Sequence, residues 1–206
     1  MEQIGKEEPK TLSDIFRQAF KGVVEPIATF FIRIGLKPNT VTIAGLVGHV
    51  AAAYLVARGQ IVAGGFLVLV MAPADFLDGT MARLLGESSR FGAFVDSVTD
   101  RYSEFVLYGG LLAYYLIQHN VLGCSLVYLA ATGSMLVSYI RNRAEGLDYE
   151  AKVGILTRME RYFVLVPALI LNYPLIGLGI IAILAHLTAL QRILHVRRQA
   201  HVEMGR

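Results

Sequence analysis

Four carboxylates stand at fixed intervals in one short stretch of this chain, Asp75, Asp78, Asp96 and Asp100, within ADFLDGTMARLLGESSRFGAFVDSVTDR. Asp75, Asp78, Gly79 and Ala82 fall at i, i+3, i+4 and i+7, and Ser89, Gly92, Asp96 and Asp100 at i, i+3, i+7 and i+11. On helices each set is a single stripe, so two antiparallel neighbours can offer two carboxylates each, backed by small residues, to a common gap. Four like charges in one gap repel, and some stay protonated unless a cation neutralises them. Two divalent ions would balance all four. Oxygen-only ligation, with no histidine or cysteine nearby, favours Mg2+ or Mn2+ over zinc. Magnesium keeps positions for water and substrate phosphates, so the chemistry in prospect acts on a phosphate ester or anhydride.

The elements that must position these acids are apolar. Of 206 residues, 55% are hydrophobic, and the mean hydropathy is +0.54. Phe105 to Ile140 and Tyr162 to Gln191 lack Asp, Glu, Lys and Arg altogether, and between Val41 and Ala74 the only formal charge is Arg58. Such runs suit membrane spans of about 20 residues, and no alternating strands of barrel type appear. The expected fold is an all-α integral membrane protein, residues 1–206 forming one membrane domain. Polar turns divide residues 41–194 into six transmembrane helices. They run from Val41 to Ala57, Ile61 to about Leu84, about Arg90 to Ile117, Val121 to about Ile140, about Val153 to Leu171, and Pro174 to about Leu194.

Residues 11–35 mix apolar residues with Arg17, Lys21, Glu25 and Arg33, and read as an amphipathic surface helix that Pro26 breaks. The polar start, MEQIGKEEPKTLSDIF, reads as no signal peptide. With the N-terminus inside, eighteen of the nineteen Lys and Arg residues, all but Arg58, face the cytoplasm. Both termini and all four aspartates then lie at the cytoplasmic side of the cell membrane. Each Asp at a helix centre would cost roughly 2.5–3.5 kcal/mol, which the inner edge reduces. The modest net charge of +3 gathers at inner helix ends, which suits lipid and phosphate, and no nucleic-acid partner is expected.

Several residues carry quieter readings. Pro73 is expected to kink the second helix and open the gap. His49 and His186 lie in apolar spans, where packing or a helix–helix hydrogen bond outweighs metal ligation. Cys124 reads as a small buried apolar group. Tyr102, Tyr139 and Tyr162 suit interfacial anchoring, and Gly45, Gly48, Gly109 and Gly110 suit close helix packing. Intramembrane acids also serve cation-coupled transporters, but those usually sit at mid-bilayer on broken or repeated helices.

The pattern Asp75-x2-Asp78-Gly79-x2-Ala82-Arg83-x8-Gly92-x3-Asp96-x3-Asp100 resembles, at every position, the signature of the CDP-alcohol phosphotransferase family. That resemblance implies an enzyme in which a CDP-linked lipid gives its phosphatidyl group to an alcohol and CMP leaves. It implies that Asp75, Asp78, Asp96 and Asp100 hold two metal ions, with Asp100 also the base on the acceptor hydroxyl. Contacts to the CDP-lipid fall on Gly79, Ala82, Arg83, Ser89, Gly92 and the NTVT stretch, Asn39, Thr40, Val41 and Thr42. The segments SYIRNRAEG, TRMER and LQR are similar to those of the prokaryotic members that make phosphatidylinositol phosphate. Their basic side chains bind the phosphate of inositol phosphate and carry over onto Arg141, Arg158 and Arg192. Arg141 stands where those members have lysine, which keeps the charge but replaces a point charge with a planar fork. Glycerol 3-phosphate is the rival acceptor, since it too needs a phosphate pocket. The family is typically homodimeric.

Overall fold

The computed structural model describes residues 12–87 and 89–204; the side chains of residues 12–21, 23, 75 and 204 lie outside the described part. The described residues form eight helices and no strand: α1 (Leu12–Arg33), α2 (Pro38–Ala57), α3 (Ile61–Met71), α4 (Ala74–Leu84), α5 (Arg90–Ile117), α6 (Val121–Glu145), α7 (Arg158–Ile170) and α8 (Pro174–Met204). Local sequence sets most of these ends. Pro38 and Pro174 begin α2 and α8, where a missing N–H costs nothing. Ser89 Oγ and Asn120 Oδ1 cap α5 and α6, each accepting from the backbone N–H three residues on at 2.9 Å. Gly59, at φ 81°, closes α2 in a left-handed turn, with Gln60 N donating to Leu55 O at 2.9 Å. His119 and Asn172 take the same conformation after α5 and α7, at φ 53° and 62°.

Several expectations change, and α6 and α8 run on to Glu145 and Met204, past the expected ends near Ile140 and Leu194. Pro73 does more than kink the second apolar segment, because it divides it into α3 and α4. It has no N–H to continue the ladder, and Phe76 N and Leu77 N both turn to Pro73 O, at 3.0 and 3.1 Å, to start a new helix. Asp75 and Asp78 therefore sit near the N-terminus of α4, where the helix dipole favours negative charge. Pro26, by contrast, does not break α1. The bond it removes is the one to Gly22 O, and exposed Gly22 can leave that carbonyl to solvent. Finally, the fifth apolar segment becomes helical only at Arg158, because residues 149–157 bond to other elements. Leu156 N donates to Thr188 Oγ1 at 3.0 Å, and Arg192 Nε donates to Val153 O at 2.8 Å.

The main packing contacts close a ring in the order α2, α3, α7, α8, α6, α5 and back to α2, with α4 against α2 and α1 against α4. Val56, Val68, Leu107, Leu111, Leu169, Leu178 and Ile181 fill its centre, and Cys124 packs on that core half-buried. Glycine sets the closest approach. A Cβ on Gly110 would lie 2.4 Å from Ala53 O, so α5 rests on the bare backbone of α2. Gly45 and Gly48 likewise meet Ala74 and Met71, whereas Gly109, expected to pack, faces open space.

The outer surface is apolar to a degree that water does not tolerate, with Tyr54, Phe66, Val70, Ile117, Val121, Tyr128 and Ile183 all well exposed. Among the described residues, four segments are long and apolar enough to cross a membrane: Pro38–Ala57, Ile61–Leu84, Val121–Glu145 and Pro174–Glu203. α5 and α7 fall outside that measure for identifiable reasons. The N-terminal half of α5 carries Asp96, Asp100, Arg101 and Glu104, and α7 has only 13 residues.

Gly110→Val should force α2 and α5 apart and lower stability by roughly 1–3 kcal/mol, the usual cost of overpacking. Gly109→Ala meets no atom within 4 Å and should leave the thermal midpoint unchanged or raised. Unfolding of both variants in one detergent tests the contrast.

Candidate active site

α4 and α5, the two acid-bearing helices, both find their main contact in α2. Thr42, in the second turn of α2, draws one of those acids in. Its Oγ1 donates to Asp78 Oδ2 at 2.5 Å, and Gly79 N donates to Asp78 Oδ1 at 2.5 Å. Asp78 is buried, so two donors orient both of its oxygens. Asp75 lies on α4 about one turn earlier, and its side chain is outside the described residues. On α5, half-buried Asp96 precedes Asp100 by one turn. Asp100 Oδ2 receives Arg158 Nη1 from α7 at 2.5 Å, with Arg101 Nη1 at 4.0 Å.

Among the described residues, no three acidic, histidine or cysteine side chains converge as a finished metal site. The donor set still fits a hard divalent cation. Asp78, Asp96 and Asp100 offer carboxylate oxygen alone, and His49 and His186 point elsewhere. His49 Nδ1 pairs with Gly45 O at 2.8 Å and Nε2 with Tyr162 Oη at 3.2 Å, while His186 Nε2 meets Leu129 O at 3.2 Å. The expected helix–helix hydrogen bonds are thus present.

The residues expected to meet the CDP-lipid divide by geometry. At Gly79 a Cβ would find only Arg83 Nη1, at 3.6 Å, so the backbone there is open to a ligand. Thr80 Oγ1 accepts from Arg83 Nη2 at 2.9 Å and tethers the guanidinium beside that opening. Ala82 is half-buried on the same helix. Asn39 and Thr40 are exposed in the first turn of α2, whereas Val41 is buried against Ala28 and Met81. Ser89 caps α5, and Gly92 leaves room for that cap, since a Cβ there would stand 3.1 Å from Ser89 Oγ.

The three acceptor arginines are not gathered at one point. Arg158 sits on Asp100. Arg192 is buried, its Nε on Val153 O and its Nη1 on Val137 O at 2.5 Å. Arg141, one turn beyond Val137 on α6, is half-exposed and pairs with Glu145 at 2.8 Å. Tyr162 departs from its expected role at the membrane surface. It is half-buried, bonds to His49, and carries the Arg158 guanidinium 5.4 Å above its ring centre. Tyr102 and Tyr139 are exposed, as anchoring requires.

One charged pair escaped the sequence reading. Arg161 Nε and Nη2 donate to Glu104 Oε1 and Oε2 at 2.6 and 2.8 Å, and both residues are buried. The signal was a repeated offset. Glu104 follows Asp100 by four residues and Arg161 follows Arg158 by three, each continuing the stripe of its predecessor. A cavity of about 270 Å³ opens beside Arg101, between α5 and α6, and is also lined by Ser138, Asn142 and Arg143.

Residues 36–194 match the family described as CDP-alcohol phosphatidyltransferase. The phosphatidylinositol phosphate synthase of Streptomyces avermitilis is 34% identical over 206 aligned positions, covering 92% of this chain and 84% of the relative. The archaetidylinositol phosphate synthase of Pyrococcus horikoshii is 34% identical over 191 positions, covering 92% and 97%. The crystal structure of Mycobacterium tuberculosis phosphatidylinositol phosphate synthase with CDP-DAG bound matches with a TM-score of 0.77 at 30% identity, over 84% of this chain and 93% of that one. Its complex with manganese and citrate matches with a TM-score of 0.78 at 30% identity, over 84% and 88%. With a match spanning α2 to α8, this chain belongs to the CDP-alcohol phosphatidyltransferase family.

Proposed function

We propose that this protein transfers the phosphatidyl group of CDP-diacylglycerol, or of an ether-lipid analogue, to a hydroxyl of inositol phosphate, making phosphatidylinositol phosphate and CMP. The observation that carries this reading is the contact of Arg158 Nη1 with Asp100 Oδ2 at 2.5 Å. It brings a phosphate-gripping cation within reach of the carboxylate that would serve as base. The relatives from Streptomyces and Mycobacterium, named for this synthesis, support the choice of acceptor. The Pyrococcus relative, an archaetidyl enzyme, keeps ether tails open.

In this reading Asp75, Asp78, Asp96 and Asp100 would hold two Mg2+ ions, with Mn2+ a substitute, as the manganese complex of the mycobacterial relative supports. When bound, such ions withdraw charge from the pyrophosphate and stabilise departing CMP. The chain's own groups do the remainder. Gly79 leaves space for the pyrophosphate and Arg83 neutralises part of its charge. Asn39, Thr40, Val41, Thr42, Ala82, Ser89 and Gly92 line the CDP side, and Thr42 orients Asp78. Arg158, with Arg141 and Arg192, binds the acceptor phosphate and sets its hydroxyl beside Asp100. The hydroxyl oxygen forms the new bond to the phosphatidyl phosphorus while the anhydride bond to CMP breaks. CMP leaves with that electron pair, and Asp100 takes the proton, without which a neutral hydroxyl is a poor nucleophile.

The proposed setting is six membrane crossings in one domain. α5 and α7 supply the third and fifth, α1 lies on the inner surface, and both termini are cytoplasmic. The position of eighteen of the nineteen Lys and Arg residues supports that orientation. The working unit is a homodimer in the cell membrane.

Asp100→Asn should cut turnover by about 100-fold or more, the usual worth of a general base, while equilibrium binding of CDP-diacylglycerol survives. Full activity would remove Asp100 from the reaction. Arg158→Ala should raise the acceptor KM about tenfold or more, as loss of a charged hydrogen bond does, and an unchanged KM refutes the grip. A survey of CMP release with inositol phosphate, glycerol 3-phosphate, inositol and serine decides the acceptor. Inositol phosphate should win, and clear preference for glycerol 3-phosphate would make this a phosphatidylglycerophosphate synthase. No CMP release with any acceptor would return the aspartates to the alternative of a transported cation.

A further inference from the structure

α5 and α7 are not neighbours in the helix ring, yet side chains of α7 reach α5 twice. Arg158 meets Asp100 at 2.5 Å, and one turn deeper Arg161 holds Glu104 through two hydrogen bonds of 2.6 and 2.8 Å. The first rung is partly open, with side-chain exposures of 22% and 14%. The second is closed, with Arg161 at 1% and Glu104 at 5%.

A buried ion pair is a poor source of stability, because apolar residues of like volume often serve as well or better. What it does supply is geometry. A bidentate guanidinium–carboxylate pair accepts one alignment of its two planes. A one-residue slip of α7 would rotate its side chains by about 100° and break both bonds. Arg161 also reaches back through Nη1 to Leu156 O at 3.5 Å, so the same side chain holds the segment that leads into Arg158. Further out, Tyr162 bonds to His49 of α2 and supports the Arg158 guanidinium on its ring face. Arg158 is thus aimed by residues that never face the reacting groups.

We propose that Glu104 and Arg161 are positioning residues: their buried pair fixes the register of α7 against α5 and thereby holds Arg158 opposite Asp100. This rests on the reading of Arg158 as the acceptor's phosphate grip. Neither residue touches substrate, so their loss should appear at the acceptor and not at the CDP-lipid.

The test uses the full chain in lipid nanodiscs, with thermal midpoint, kcat and both KM values measured for Glu104→Met/Arg161→Met and for Arg161→Lys. The double variant removes both charges together and leaves none buried alone. We expect it to fold with a midpoint near the native one. Its KM for inositol phosphate should rise about tenfold or more while the KM for CDP-diacylglycerol stays within about twofold, as misplacement of one contact group predicts. Arg161→Lys keeps the charge but loses the fork, and should give a smaller rise of the same KM. A double variant with native kinetics at both substrates overturns the proposal, because the pair would then serve packing alone. Should the double variant fail to fold, a folded Arg161→Lys with native acceptor KM overturns it equally. If the native chain prefers glycerol 3-phosphate, the acceptor reading fails by itself, and the pair is judged on that acceptor's KM. A native chain inert with every acceptor overturns the functional reading and this proposal with it.

Discussion

Charge held inside a bundle surrounded by hydrocarbon must meet a partner within hydrogen-bond reach, and that requirement organises the acid-bearing end of this molecule. Asp78 is met by Thr42 and its own helix, Asp100 by Arg158, Glu104 by Arg161. Three of these four partners come from other helices, so satisfying the charges also fixes where α2, α5 and α7 stand. One turn beyond Glu104, Tyr108 Oη and Ser134 Oγ pair at 3.0 Å, and around them the interior is apolar, through Leu107, Leu111 and Leu165.

The remaining architecture serves that end by keeping helices close where chemistry is absent and apart where it is needed. Gly110 lets α5 lie on the backbone of α2, and Gly65 lets α3 meet Leu169 and Ile170 of α7. Pro73 interrupts the segment that would otherwise run straight through and gives α4 its own N-terminus beside the acids. The nonhelical stretch before α7 is held by Arg161, Thr188 and Arg192, each bonding to its backbone. Ties of this kind matter wherever reacting groups are drawn from several helices, since an error of about 1 Å can cost 100-fold in rate.

Family membership gives these features a direction. Transfer from a CDP-linked lipid requires a nucleotide to be bound, an acceptor hydroxyl to be held in place, and a base to take its proton. Gly79 is open beside Arg83 on α4, and Arg158 of α7 meets Asp100 of α5. Arg141 and Arg192 lie further round the ring on α6 and α8, and Arg192 bonds to the backbone of two elements. Closing three arginines on one phosphate would therefore take movement of side chains that now hold backbone or a neighbouring carboxylate.

The amino-acid sequence by itself determined the class of the protein, its helical spans to within a turn at most ends, and the stripes of Asp75, Asp78, Asp96 and Asp100. Each of these is written in local periodicity, in charge-free runs, or in proline and capping residues that act on their own helix. It could not determine that Pro73 separates two helices while Pro26 does not, because both prolines remove the same backbone donor and their neighbours along the chain do not tell the two outcomes apart. Nor could it pair Glu104 with Arg161, 57 positions away, seat Tyr162 on His49, or divert residues 149–157 onto α8. Those were decided by tertiary structure, because a buried charge or an unsatisfied amide takes whichever partner the packed helices bring near, and nearness in space leaves no spacing to read along the chain.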